Sequence, residues 1–262
     1  MNGPRIYLIG RPTVAEDEIE RFLADRGLDW SRTNEAASAE ELVEFGGRVC
    51  YLSFRGDTSS IRFPNSLYIA NLIEKGHESV LEHATWTLLV DKVSRSFSHQ
   101  LVRHRIGFSF SQLSQQYHDE ADAEFVIPDQ LRDEPRLRDL WQTSVQSARE
   151  AYRKLLAELT KEASTSDKEA LRRIRSTARS LLPNATETTI VVTANARALR
   201  HFLETRGAVV GDLEMRQVAY GIFNAVCHDS PALFADFEAG MSIEDGAPIV
   251  QPRERPEKVA LA

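Results

Sequence analysis

Arg103-His104-Arg105-Ile106-Gly107-Phe108-Ser109-Phe110-Ser111-Gln112-Leu113-Ser114-Gln115-Gln116-Tyr117 gathers two arginines, a histidine and a run of hydroxyls and amides into one short stretch of an acidic chain. Guanidinium groups fork onto phosphate or carboxylate oxygens, and Ser and Gln offer directed donors and acceptors to a polar ring such as a nucleobase. The stretch therefore reads as an anion site, although a solvated turn accounts for Arg-His-Arg taken alone. Just upstream, Phe97, Leu101 and Val102 recur at helical spacing between Ser94 and Arg103. The stretch thus begins where a helix gives way to an irregular loop.

Working outward, helical and β-branched segments alternate. Ser38-Ala39-Glu40-Glu41 is a capping box opening a helix through Glu44, and a second helix runs from Asn65 or Ser66 to Lys75, stopped by Gly76. Ala84 to Val90 reads as a strand, and Ala123 to Ile127 as a short one ended by Pro128. Leu140, Trp141, Val145, Ala148, Tyr152, Leu155, Leu156 and Leu159 form an apolar stripe that predicts a long amphipathic helix over Leu137 to Glu162. Further helices are expected at Lys168 to Leu181, Ala196 to Arg206 with Asn195 as N-cap and Gly207 as stop, Asp212 to Cys227, and Pro231 to Phe237. Thr188 to Thr193 is β-branched, the mark of a buried strand. Helices around a modest number of strands make the fold class α+β, with a central mixed or antiparallel sheet.

The chain has 262 residues, 42% of them hydrophobic and 27% charged, with a net charge of −7. One catalytic domain over residues 1–240 is expected, followed by a poorly ordered tail over 241–262. No apolar run is long enough to span a bilayer, and the N-terminus lacks the apolar core of a signal peptide. Cys50 and Cys227 form neither a disulfide framework nor a metal-ligand spacing, so a cytoplasmic setting is expected. The acidic balance argues against broad nucleic-acid binding.

Other clusters carry candidate chemistry. Arg172, Arg175 and Arg179 share a helix face, either as a phosphate-binding row or as a solvent stripe paired with Asp167 and Glu169. Arg197, Arg200, His201 and Glu204 crowd the next helix, and Arg206 closes its last turn, where a cation also favours the macrodipole. His77 and His83 are six apart, which places their rings on poorly matched faces, so no metal site is expected. No Gly-rich phosphate loop follows a strand, and no nucleophile elbow is present.

Several blocks resemble the flavin-dependent thymidylate synthases. That family's signature is Arg-His-Arg, seven residues, then Ser, with Arg two positions on. Here Arg103-His104-Arg105 leads to Ser114, and Gly46-Gly47-Arg48-Val49-Cys50-Tyr51, Gly76-His77-Glu78-Ser79-Val80-Leu81-Glu82-His83, Leu182-Pro183-Asn184-Ala185-Thr186-Glu187-Thr188 and Asn195-Ala196-Arg197 follow family order. The resemblance covers roughly Phe45 to Phe237. It implies FAD reduced by NADPH, methylenetetrahydrofolate as one-carbon donor, methylation at C5 of a uracil nucleotide, and a homotetramer with shared active sites. Ser79, Arg103, His104, Arg105, Gln112, Asn195, Arg197 and His201 match FAD positions. Gln100, Arg103, Gln112, Leu113, Ser114, Gln115, Gln116, Arg179 and Arg206 match nucleotide positions, with Arg206 polarising the uracil and no cysteine acting as nucleophile.

The departures from that pattern cluster. Eight residues separate Arg105 from Ser114, Gln116 stands where the family has Arg, and Gly207 and Val210 stand where it tends to have Ala and His. An added loop residue and a smaller polar side chain suggest room for a ribose 2′-hydroxyl. UMP is then an expected substrate, with or in place of dUMP, as in the polyoxin-type nucleoside antibiotic pathways. The alternatives are a standard dUMP enzyme and a non-catalytic flavin- or nucleotide-binding homologue.

Overall fold

A computed structural model describes residues 3–30, 36–54, 64–161 and 167–254. They fall into two compact units. The first comprises Met1–Arg5, Val90–His104 and Phe110–Val191, the second Ile6–Leu89, Arg105–Ser109 and Val192–Ala262.

Four strands form one sheet, in the order β1 (Arg5–Gly10), β2 (Thr85–Ser94), β4 (Glu187–Asn195) and β3 (Phe108–Gln112). In β4, Thr188, Ile190, Val192 and Ala194 are buried while the residues between them are half-buried, the alternation of a strand with one core face. Trp86, Leu88 and Val90 do the same in β2. Thr87 Oγ1 lies 3.0 Å from Thr193 Oγ1, and Thr189 Oγ1 donates to Asp91 Oδ1 at 2.7 Å. As one strand advances its partner recedes, so β2 and β4 are antiparallel. β2 runs to Ser94, past the expected end at Val90, because Lys92 takes a left-handed φ of 58° and breaks the alternation without ending the strand.

Along the chain the helices are α1 (Glu16–Arg26), α2 (Ser38–Tyr51), α3 (Asn65–Glu74), α4 (Arg95–Leu101), α5 (Pro135–Lys161), α6 (Lys168–Ala178), α7 (Ala196–Arg206) and α8 (Leu213–Asp229). In the second unit, Phe22, Trp30, Phe45 and Phe54 pack edge-on or tilted around Ile19 and Leu23. Trp86 is fully buried, and its indole N–H donates to Asp229 at the end of α8 at 2.7 Å. Glu40 and Glu44 in α2 are buried yet satisfied: Glu40 accepts from the Ala232 N–H at 2.7 Å, and Glu44 from Asn65 Nδ2 at 2.7 Å. In the first unit, the buried Tyr152 of α5 receives the Glu120 N–H at 3.1 Å and donates to Asp119 at 3.2 Å.

α7 has the bounds its sequence predicts. Asn195 Oδ1 caps it by accepting from the Ala198 N–H at 2.9 Å. Elsewhere the boundaries move. The N-cap of α2 is Ala37, not Ser38, with only the Glu40 carboxylate reaching back to the Ala37 N–H at 3.3 Å, and the helix runs beyond Glu44 to Tyr51. Ala123 to Ile127 is no strand; it contributes one bridge, Phe125 to Thr186. α6 stops at Ala178 and Arg179–Leu181 tightens into a 3-10 turn. The expected helix over Pro231 to Phe237 is a 3-10 turn, Pro231–Phe234. The stretch after Arg103 is a turn followed by β3 rather than an irregular loop.

Residues 237–252 form an antiparallel hairpin of β5 (Phe237–Met241) and β6 (Pro248–Pro252), where a poorly ordered tail was expected from Met241; residues 255–262 lie outside the described residues. The hairpin is anchored by the buried Arg216, which grips Asp245 and holds its carboxyl down to about 2. It is anchored again where the Val250 N–H donates to the Gly207 carbonyl at 2.9 Å. A Cβ on Gly207 would run into the Val250 carbonyl oxygen. Gly207→Ala should therefore cost about 1–3 kcal/mol, the range for overpacking. Thermal unfolding should show a fall of roughly 2–4 °C for each kcal/mol. An unchanged midpoint would contradict the close approach.

Candidate active site

In the first unit, α4 delivers Gln100 and Arg103 to its C-terminal end, with Ser94 capping the other end by accepting from the Phe97 N–H at 3.0 Å. Both Gln100 and Arg103 are exposed, and among the described residues Arg103 makes no ion pair or side-chain hydrogen bond. β3 carries Gln112, whose amide donates to Ser98 Oγ at 2.9 Å and Thr188 Oγ1 at 3.3 Å. The chain then runs along β4 through Leu113 N–H to the Thr189 carbonyl at 3.0 Å. Arg95 Nη2 holds the Leu113 carbonyl at 2.7 Å, and Arg175 holds the Tyr117 carbonyl at 2.8 Å. The segment Gln112 to Tyr117 is thus clamped from α4 and α6 by guanidinium groups that grip its backbone.

Ser114 Oγ accepts from the Gln116 N–H at 3.3 Å, a local turn contact that leaves the hydroxyl a hydrogen-bonding group rather than an activated nucleophile. Gln115 points inward and is buried. Gln116 reaches Ser176 on α6 at 3.4 Å. Arg172 pairs with Glu169 at 2.8 Å, which gives it the solvent-stripe role, whereas Arg179 has no ion pair among the described residues and is half-buried. Sequence reading passed over Arg95 and Glu120. The signal for Arg95 was its place directly after the Ser94 cap; nothing local marks Glu120.

In the second unit, Arg105 to Phe108 is a β-turn with Gly107 at φ 74°. Gly107 lies against the first turn of α7: its carbonyl takes the Asn195 N–H at 3.2 Å, and a Cβ there would meet the Ala198 Cβ at 2.7 Å. Arg105 is exposed, with no ion pair among the described residues. Arg197 is held by Glu82 at 2.6 Å and Glu78 at 3.5 Å. His201 is exposed on α7, and Arg206 is half-buried in its last turn. A cleft of about 310 Å³ is lined by Gly47, Cys50, Gly76, His77, Ser79 and Arg197. The Ser79 hydroxyl and the Arg197 guanidinium on this cleft are donors that suit the phosphate oxygens of a dinucleotide such as FAD.

The sequence pattern of the family described as Thymidylate synthase complementing protein matches residues 33–232. The chain belongs to this family. It is 40% identical over 230 residues to the flavin-dependent thymidylate synthase of Mycobacterium marinum, covering 87% of this chain and 90% of that protein. The enzyme of that name from Corynebacterium diphtheriae is 41% identical over 229 residues, covering 86% and 89%. That from Corynebacterium aurimucosum is 43% identical over 219 residues, covering 82% and 87%.

Against the family signature, the departures separate by cause. Between Arg105 and Ser114, where the chain carries its extra residue, Arg105 to Phe108 form a β-turn with Ile106 91% exposed. Gly207 answers to the Val250 carbonyl of the hairpin, and Val210 is 83% exposed on the surface. Gln116 lies in the clamped segment. Among the described residues, no group of three His, Cys, Asp or Glu is arranged to hold a metal, and no helix is long and apolar enough to cross a membrane.

Proposed function

We propose that the chain is an FAD-dependent methyltransferase that moves a one-carbon unit from methylenetetrahydrofolate to C5 of dUMP, with NADPH as reductant. The observation that carries this reading is the clamped segment Gln112 to Tyr117, with Arg103 and Arg179 making no ion pair among the described residues, in a chain of the thymidylate synthase family. Uracil C5 is a weak nucleophile, and it gains strength when negative charge developing on the ring is stabilised. Arg206 supplies a guanidinium for that charge. Arg103, Arg179 and the Gln112 to Gln116 segment hold the nucleotide. Ser79, Arg103, His104, Arg105, Gln112, Asn195, Arg197 and His201 hold FAD, which supplies the reducing chemistry that no side chain can provide.

No cysteine attacks C6 in this reading. Burial pushes the Cys227 thiol up, away from the thiolate, and Cys50 spends its S–H on the Gly46 carbonyl at 3.3 Å. The enzyme works as a cytoplasmic homotetramer with shared sites; the exposed Tyr51, Leu52 and Leu67 suit further burial by partner subunits.

Gln116 favours a second reading in which UMP is the substrate, as in polyoxin-type antibiotic biosynthesis. A neutral amide in place of a guanidinium weakens anion binding and frees volume for a 2′-hydroxyl. Gly207 answers to the Val250 carbonyl, and the relatives named as flavin-dependent thymidylate synthases support dUMP as the preferred substrate. Turnover of dUMP and UMP measured side by side should give the larger kcat/KM to dUMP; a larger value for UMP would transfer the conclusion to the second reading.

A further inference from the structure

In the first unit four buried polar atoms have no hydrogen-bond partner among the described residues: Arg95 Nε, Gln115 Nε2, Glu120 Oε1 and, on α6, Arg172 Nε. Glu120 Oε1 is the acceptor among three donors, and Arg95 is the donor whose charge acts on it. Glu120 is 3% exposed and Gln115 6%. Buried polar groups are nearly always satisfied, so leftover donors beside a leftover acceptor describe a network that is complete in another arrangement of the same residues.

Arg95 is the pivot of that network. Its Nη2 already holds the Leu113 carbonyl, so whatever fixes its remaining Nε edge also fixes the nucleotide segment. The groups acting on Glu120 are His118, with Nδ1 3.9 Å from Oε1, then Arg95 and Asp119; Tyr152 pins the backbone of Glu120 and the carboxylate of Asp119 to α5. Arg179 in turn acts on the charge of Arg95. Burial raises the Glu120 carboxyl above its usual range, while His118 and Arg95 pull it back.

We propose that Glu120 is a positioning residue for the nucleotide: when substrate seats, its carboxylate takes the spare N–H of Arg95 and locks Leu113 to Gln116 in the binding shape. This rests on the nucleotide-binding reading above. Glu120 touches no reacting atom and acts through Arg95. The ionised form is the one that accepts, so the lock is present at neutral pH and is lost as pH falls through the raised pKa of Glu120.

The test is calorimetric titration of FAD-loaded enzyme with dUMP between about pH 5 and pH 8, for wild type, Glu120→Gln, Arg95→Gln and the double variant. Glu120→Gln should bind dUMP roughly 10- to 100-fold more weakly at neutral pH, the loss expected for a charge-assisted hydrogen bond. The ratio of wild-type to variant affinity should shrink toward unity in acid; protonation of the nucleotide's own phosphate is common to both proteins and cancels. The double variant should bind no more weakly than Arg95→Gln alone. Equal affinity of wild type and Glu120→Gln across the range, or losses that multiply in the double variant, would overturn the proposal. If Glu120→Gln does not fold, Arg95→Lys keeps the charge without the Nε donor and should show the same loss and flattened pH ratio; wild-type behaviour there overturns it. A wild-type enzyme that binds neither dUMP nor UMP overturns the underlying reading as well, a result distinct from a wild type that binds and a variant that binds equally.

Discussion

Arg206→Lys is expected to lower turnover about 10²- to 10³-fold, the loss seen when one donor to a developing anion is removed, while flavin content stays at the wild-type level. Lysine keeps the charge but replaces a planar fork with a mobile point charge, so a ring that must be polarised from a fixed direction loses more than a phosphate would. Arg206 sits in the last turn of α7, a helix fixed at its start by the Asn195 cap and along its length by the buried Leu199, Phe202 and Leu203. The substitution should leave that packing intact. Stopped-flow and steady-state assays with saturating dUMP separate turnover from binding. Near-wild-type turnover would remove Arg206 from the chemistry.

The second large effect is at Arg179. Arg179→Ala should weaken nucleotide binding by roughly 10- to 100-fold, because a charge-assisted hydrogen bond to phosphate is lost and, among the described residues, Arg179 has no ion pair to release in exchange. Arg172, about two turns back on the same face but already paired with Glu169, should give a much smaller change when replaced by Ala. Equal effects at the two positions, read by equilibrium titration with dUMP, would mean that Arg179 is only part of a solvent-facing stripe.

How far the sequence carried these assignments depends on whether the deciding contact is local. α7 was legible to the residue because both of its ends are punctuated in the sequence, by Asn195 and Gly207. The core of β4 was legible because one face is buried and the other is not. The hairpin at 237–252 was hidden: of β5 only Phe237 is buried and of β6 only Val250, so neither strand shows period-2 alternation, and prolines at both ends of β6 read as a tail. β2 was cut short because Lys92 leaves the extended region.

The site followed the same rule. Gln112, Ser114, Arg179 and Arg206 were marked by their motifs. The significance of Gly207 was not, since it depends on a carbonyl some forty residues downstream. Arg95 and Glu120 escaped notice because their relation is made by folding the clamped segment between α4, α5 and α6, and no spacing in the chain announces it.

The most direct measurement is the fate of dUMP incubated with the purified, FAD-loaded enzyme, NADPH and methylenetetrahydrofolate, analysed by mass spectrometry. A methyl group gained on the uracil ring, dependent on each of the three added components, is the expected result. Unchanged dUMP and UMP from a protein that binds FAD and oxidises NADPH would contradict it.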